Sequence, residues 1–235
     1  MSELDGLIVP EIKNDELYSA IRNVALDPSV RTILEIGSSS GEGSTRAFCE
    51  GILLNKEARL FCLEVSKPRF NKLVENYFSI TKVHCFNMSS VWLRDFPTEE
   101  EVAKFYEESP SFCQLKRYPL PRVLGWLKQD MDYIKENNVI EGGVYFIKSK
   151  YKIDTFDVVL IDGSEFTGYK ELEEVYGAKT IILDDINSFK NYQSYYELLE
   201  DENYDLICLG LNLRNGFAIF RRLENPKGTG GSLGK

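Results

Sequence analysis

A short apolar run that carries a carboxylate and breaks at once into glycine and serine constrains this chain more than any other stretch. Thr32 to Ile36 is the run, Glu35 its acid, and Gly37-Ser38-Ser39-Ser40-Gly41 the break. Such a run suits a strand buried on both faces of a parallel sheet. Glycine lets the backbone bend sharply at the strand end and come close to a ligand. Residues 44–54 then read as a crossover helix, whose start offers unpaired N–H groups and a partial positive charge. Together these parts suit the polar portion of a nucleotide-like ligand. Glu35 narrows the choice, because a carboxylate there repels a pyrophosphate and attracts a cation or a hydroxyl.

Two other readings fit the same turn. Gly37 to Gly41 matches G-x-S-x-G, the nucleophile elbow of hydrolases, with Ser39 as nucleophile. That motif needs a general-base histidine late in the chain, and the single histidine, His84, comes early, inside an apolar run. A tight loop without a ligand is the plainer alternative, and the rest of the chain bears on it.

Strand-like and helix-like segments alternate along the sequence. Residues 15–26 place Leu17, Ile21, Val24 and Ala25 on one helical face, with Asn14 as the expected cap. Residues 59–65 form a second strand that meets an acid, Glu64, near its end. Ser66-Lys67-Pro68 then opens a helix that tolerates proline in its first turn. Residues 82–86 are a third strand, followed by Asn87-Met88-Ser89-Ser90. Residues 156–162 give the strongest buried-strand signal, and residues 179–185 another that ends in Asp184-Asp185. Two closing strands follow at 205–209 and 217–221. The expected fold is α/β, a doubly wound Rossmann-like seven-stranded sheet with one large insertion after the third strand. Residues 1–223 form a single domain in this reading, with the insertion at about 90–155 and a flexible tail at 224–235. The insertion includes two amphipathic helices and a β-rich, lysine-bearing piece at 144–153.

Composition removes several function classes. At 235 residues the chain is long enough for one α/β domain, and 43% hydrophobic with 28% charged residues is ordinary for a globular protein. A net charge of −9 argues against a nucleic-acid surface, which wants a basic patch. Cys49, Cys62, Cys85, Cys113 and Cys208 are odd in number and lack metal-ligand spacing. They read as reduced core residues of a cytoplasmic protein. Neither a signal peptide nor a membrane span is expected.

The acids are the informative residues. Glu35, Glu64, Asp162, Asp184 and Asp185 all fall at or near strand ends, on the edge where open α/β sheets bind ligands. Helix capping is the structural alternative for each. Glu64 stands where an acid bonds ribose hydroxyls. Asp162, Asp184 and Asp185 offer carboxylate oxygens from adjacent strands, which suits a hard cation such as Mg²⁺.

With these residues in view, the chain resembles the class I methyltransferases that use S-adenosylmethionine. The resemblance rests on Glu35-Ile36-Gly37-Ser38-Ser39-Ser40-Gly41, Glu64 and the closing strands. Ile161-Asp162-Gly163 and Ile182-Leu183-Asp184-Asp185 further resemble the metal-dependent O-methyltransferases that act on sugars of macrolide and aminocoumarin natural products. It covers residues 31–86 and 156–222, not the insertion, where substrate selection should lie. The sequence departs at Ser39, often glycine in that family, and at Ser164-Glu165, where part of the acidic cluster is displaced by one residue.

The resemblance implies S-adenosylmethionine and Mg²⁺ as cofactors and a small-molecule or glycan hydroxyl as acceptor. The turn from Gly37 to Gly41, including Ser38 and Ser39, and Ser44 beyond it would pack on the methionine part, with Glu35 near its ammonium. Glu64 would take the ribose and Asn87, Met88 and Ser89 would flank the adenine. Asp162 would contact the cofactor, and Asp162, Asp184 and Asp185 would hold the metal. Asp162, Asp185 or His84 could take the acceptor proton, although His84 between Val83 and Cys85 reads more naturally as a core residue. Neither nucleic acid nor membrane is an expected partner, and a homo-oligomer is left open. A nicotinamide-linked dehydrogenase is the runner-up, but position 39 breaks G-x-G-x-x-G and no suitable Tyr-x-x-x-Lys pair follows. A non-catalytic Rossmann-type domain that binds a partner through the insertion is the third reading.

Overall fold

The computed structural model describes residues 3–224. In chain order its main elements are α1 (Glu16–Leu26), β1 (Thr32–Ile36), α2 (Ser44–Leu54), β2 (Arg59–Leu63) and α3 (Lys67–Tyr77). Then come β3 (Val83–Phe86), α4 (Glu99–Glu108), α5 (Leu120–Glu136), α6 (Gly143–Tyr151) and β4 (Val158–Ile161). The chain continues with α7 (Gly168–Val175), β5 (Thr180–Asp184), α8 (Phe189–Glu200), β6 (Tyr204–Gly210) and β7 (Phe217–Arg222). The strands form one seven-stranded sheet in the order β3-β2-β1-β4-β5-β7-β6. The first five run parallel, and β7 is antiparallel to both β5 and β6. Strand order therefore reverses between β1 and β4, which makes the crevice beyond their carboxyl ends the natural ligand site.

Alternation along each strand sends side chains to two cores. On one face Ile33, Leu60 and Leu160 pack with Leu17 and Ile21 of α1, Phe48 and Ile52 of α2, and Leu73 of α3. On the other face Leu34, Ile36, Phe61 and Ile161 pack with Val144 and Ile147 of α6, Leu172 of α7 and Leu198 of α8. A third cluster lies apart from the sheet and joins Val102 of α4 to Val123, Leu127 and Ile134 of α5.

Several local expectations change. Residues 144–153, expected to be β-rich, are largely α6. Val144 and Ile147 lie three apart and both face the sheet, so burial decides the element over aromatic and β-branched content. The helix is thus the crossover that brings the chain back to β4. The cap of α1 is Asp15, whose Oδ1 accepts from the Tyr18 N–H at 2.8 Å, whereas Asn14 sits at φ +54° just outside the helix. Thr98 and Glu101 form a reciprocal capping box on α4. Among the described residues no helix is long and apolar enough to cross a membrane. Apart from Glu224, the tail expected at 224–235 lies outside the described residues.

Asp157 ties together the amino ends of three strands. Its Oδ2 accepts from the N–H groups of Arg31 at 2.8 Å and Thr32 at 2.9 Å, and its Oδ1 meets the Lys179 ammonium at 2.6 Å. Burial opposes its ionisation, but Lys179 and the two N–H groups outweigh that and hold the carboxyl below its usual range. A depressed folded pKa means stability that is complete above the unfolded value and lost as pH falls through the folded one. Asp157→Ala should therefore cost about 1–3 kcal/mol near neutral pH, with two N–H groups left unpaired. The gap to wild type should narrow in acid, below the ordinary aspartate range, as read by urea denaturation at both pH values.

Candidate functional site

Beyond the carboxyl ends of β1, β2, β4 and β5 lies a cleft of about 300 Å³. Its floor is the turn after β1. Gly37 has φ +89°, and a Cβ there would stand 2.0 Å from the Asp162 carbonyl oxygen. Only glycine lets the ends of β1 and β4 approach so closely. The N–H groups of Gly37 and Ser38 both donate to the Leu63 carbonyl at 3.0 Å, which binds the turn to β2 as well. Ser39, where the resembled family often has glycine, adopts φ +49°, and its buried hydroxyl has no partner. The Ser39 N–H donates to Glu64 Oε2 at 2.7 Å, while the Ser66 N–H donates to Glu64 Oε1 at 2.7 Å. Burial pushes the Glu64 carboxyl up against these bonds.

Ten of the expected site residues line the cleft: Gly37, Ser38, Ser39, Ser44, Glu64, Met88, Ser89, Asp162, Asp184 and Asp185. Four do not. Glu35 is fully buried beneath the turn, its Oε2 accepting from Ser38 Oγ at 2.7 Å and Thr45 Oγ1 at 2.6 Å. Burial raises its pKa, so it braces the turn from below rather than facing a ligand. Gly41 packs on α3, where a Cβ would stand 2.5 Å from the Tyr77 ring. Asn87 spends its amide on the carbonyls of Glu64 and Val65, at 2.8 and 2.9 Å. His84 is also outside the cleft. Its ring stacks on Phe61 at 5.2 Å and lies 5.4 Å from Tyr151, and burial first, then Arg59 and Lys150, lowers its pKa. The structure places His84 within β3 among packed rings, which agrees with its reading as a core residue rather than as the base.

Asp162, Asp184 and Asp185 do converge, with an oxygen from each within 4.8 Å of the others. Their counter-charges come from the chain itself. The Lys190 ammonium donates to Asp162 Oδ1 at 2.8 Å and to Asp185 Oδ2 at 2.7 Å. The Arg214 guanidinium spans Asp184 Oδ1 at 3.2 Å and Asp15 Oδ2 at 2.7 Å, and Asn215 donates to Asp185 Oδ1 at 2.8 Å. Burial, with Asp184 and Asp185 adding repulsion, pushes Asp162 well above the usual carboxylate range, and Asp184 rises to about 6. Burial also disfavours charge on Asp185, but Lys190 and Asn215 outweigh it and hold that carboxyl low. A Mg²⁺ ion, which needs oxygen ligands in near-octahedral array, does not fit this arrangement: an ammonium already stands between two of the three carboxylates.

Sequence reading missed other residues. Lys190 escaped it because a lone lysine at a helix start normally reads as solvated. Asp130 of α5 also lines the cleft, accepts from Ser164 Oγ at 2.6 Å and is raised by burial to about 6. Ser90, Phe96, Asp130 and Ile134 form one wall, and Leu4, Ile8, Pro10, Glu11 and Ile12 form part of another. The Ser66 hydroxyl holds the Leu4 carbonyl at 2.6 Å, and Arg69 Nε holds the Gly6 carbonyl at 2.8 Å. No sequence signal pointed to that N-terminal strap.

Known structures carry the same architecture. The chain is similar to a provisionally assigned O-methyltransferase from Klebsiella pneumoniae, at TM-score 0.57 and 13% identity over 93% of this chain and 84% of that one. A methyltransferase from Geobacter sulfurreducens matches at 0.55 and 10% identity, over 91% and 81%. An O-methyltransferase from Bacillus cereus in complex with SAH matches at 0.52 and 14% identity, over 91% and 84%. The fold is the α/β methyltransferase fold. No protein-family model matches the sequence, and no curated protein does either.

In this methyltransferase fold Gly37 is the residue least open to change. Gly37→Ala should cost on the order of 2–4 kcal/mol, from a left-handed backbone and overpacking against Asp162. Thermal unfolding of the variant beside Ser39→Gly checks this. Ser39→Gly should be neutral or slightly stabilising, since it relieves φ +49°.

Proposed function

We propose that this protein is an S-adenosylmethionine-dependent methyltransferase that acts on a hydroxyl group of a small molecule or sugar. The observation that carries the reading is the pairing, across the ends of β1 and β2, of the glycine–serine turn with the Glu64 carboxylate. The cofactor fits the donor set. Glu64 can accept from ribose hydroxyls, the unpartnered Ser39 hydroxyl offers a further polar contact, and Met88 supplies an apolar, polarisable surface for a base. Charge agrees as well. Glu11, Glu42, Glu64, Asp130, Asp162, Asp184 and Asp185 line the cleft together with Arg69 and Lys190, an excess of acidic groups that favours a cationic ligand. A pyrophosphate-bearing cofactor would meet repulsion in the same place.

When bound, the cofactor supplies an electrophilic methyl group. The chain's own task is to hold an acceptor oxygen in line with it and remove the proton. Asp162 suits the second role, because it lines the cleft at the end of β4 and burial raises the proton affinity of its carboxyl. Asp185, held ionised by Lys190 and Asn215, suits orientation of the acceptor. Asp130 and Phe96, on the wall built by residues between β3 and β4, are placed to select that acceptor.

Isothermal titration separates this reading from the dehydrogenase. S-adenosylmethionine and its demethylated product should bind and NAD should not; the reverse pattern would sink the proposal. Glu64→Ala should weaken cofactor binding by about 1–3 kcal/mol, the scale of a lost charged hydrogen bond. His84→Ala should leave cofactor affinity at the wild-type value, because the ring lies outside the cleft.

A further inference from the structure

Lys190 is a buried cation at the carboxyl ends of β4 and β5, and the carboxylates of Asp162, Asp185 and Glu165 lie around it. Its side chain is 9% exposed, with Nζ at 2.8 Å from Asp162 and 2.7 Å from Asp185. Glu165, the acid displaced by one position from the resembled pattern, accepts from the Lys190 backbone N–H at 3.4 Å and from the Ser188 hydroxyl.

The lysine is also held in register. Asn191, the next residue, donates from Nδ2 to the carbonyls of Ile161 at 2.9 Å and Asp184 at 2.6 Å. The first turn of α8 is thereby pinned to the ends of both strands. Gly168 at the start of α7 leaves room for that turn, since a Cβ there would stand 1.9 Å from the Lys190 carbonyl oxygen. Backbone and side chain therefore place one ammonium at one point, between the carboxylates that come from adjacent strands.

We propose that Lys190 is a built-in cation that does the work of a divalent metal at this site. It joins Asp162 to Asp185 at a fixed separation, supplies the positive charge their proximity demands, and lets the site form without Mg²⁺. The inference rests on the methyltransferase reading for what the site does, but not for whether it takes a metal. Lys190 acts through the two aspartates and is a positioning residue. An ammonium is a compact point charge with three donors, two of which are used here. It cannot share these oxygens with a Mg²⁺ ion, which would need them at about 2.0–2.1 Å. The displacement of the expected acid to Glu165 follows the same logic, because a buried lysine gains from a third carboxylate beside its backbone and stem.

Titration of the full-length protein with Mn²⁺, followed by loss of the free-ion electron paramagnetic resonance signal, tests this directly. Wild type should leave the signal undiminished. Lys190→Ala, which frees the carboxylates, should bind Mn²⁺ at least about tenfold more tightly than wild type, equivalent to about 1.4 kcal/mol. The same variant should also gain thermal stability on addition of Mg²⁺, a gain absent from wild type. A lysine with only a packing role would not produce a new metal site when removed. Stoichiometric capture of Mn²⁺ by wild type would overturn the proposal, as would a folded Lys190→Ala protein that gains no metal affinity. If Lys190→Ala does not fold, the wild-type titration still decides. Calorimetry with S-adenosylmethionine in excess chelator distinguishes the two levels. Binding unchanged by chelator supports the built-in cation, whereas absence of binding with or without Mg²⁺ would remove the methyltransferase reading and leave the metal result standing.

Discussion

Carboxylates that lose their water must be given partners, and this structure is organised around that constraint. Burial disfavours the charge of Glu35, Glu64, Asp162, Asp184, Asp185 and Glu171 near the carboxyl edge of the sheet, and neighbouring carboxylates add repulsion at Glu64, Asp162 and Asp184. Their polar partners are of several kinds. Glu35 accepts hydroxyl hydrogens from Ser38 and Thr45, and Glu171 accepts them from Ser90 and Thr167. Glu64 accepts backbone N–H groups, Asp184 meets a guanidinium, and Asp162 with Asp185 share an ammonium. Burial raises both Glu35 and Glu171 despite these hydroxyl bonds, and neither lines the cleft. The cation-paired acids remain in the cleft, where chemistry can use them.

These partners also join elements that are distant in sequence. Arg214, in the turn between the last two strands, links Asp184 on β5 to Asp15 at the cap of α1. Asn191 bridges β4 and β5, and Ser66 and Arg69 draw the N-terminal strap over the cleft. The same polar contacts that satisfy buried groups therefore shape the walls of the site. Breaking one leaves its own partner with the penalty of an unpaired buried group. The wall built from α5 and the segment before α4 is different in kind. It has its own apolar cluster, so its residues can change without touching the sheet. A change of acceptor is easiest to accommodate there.

Much of the frame was legible in the sequence because local chemistry decides it. Val158–Ile161 is a continuous apolar run and Thr32–Ile36 an apolar run interrupted by Glu35, a pattern that suits burial on both faces of a sheet. Ser66 before Pro68 marks a helix start by a hydrogen bond within one turn. The misreadings fall where local pattern and tertiary packing disagree. Residues 144–151 look strand-like in composition, yet the sheet face beside them needs a helical stripe. Asn14 and Asp15 are both acceptable caps, and the α1–Arg214 contact favours the acid.

The sequence by itself determined the α/β order, the glycine turn at Gly37 and the placement of acids at strand ends, since each follows from periodicity, backbone sterics or strand length. Only the tertiary structure decided what each acid faces. Glu35 and Glu64 look alike on paper, one near the end of β1 and one just after β2. Strand pleat sends Glu35 into the core while the turn after β2 brings Glu64 to the cleft, where their surroundings give them different chemistry. Lys190 shows the same limit more sharply. Its charge is plain in the sequence, but its position between Asp162 and Asp185 depends on α8 being pinned across two strand ends. Counter-charge is a property of three-dimensional distance, and no one-dimensional pattern encodes it.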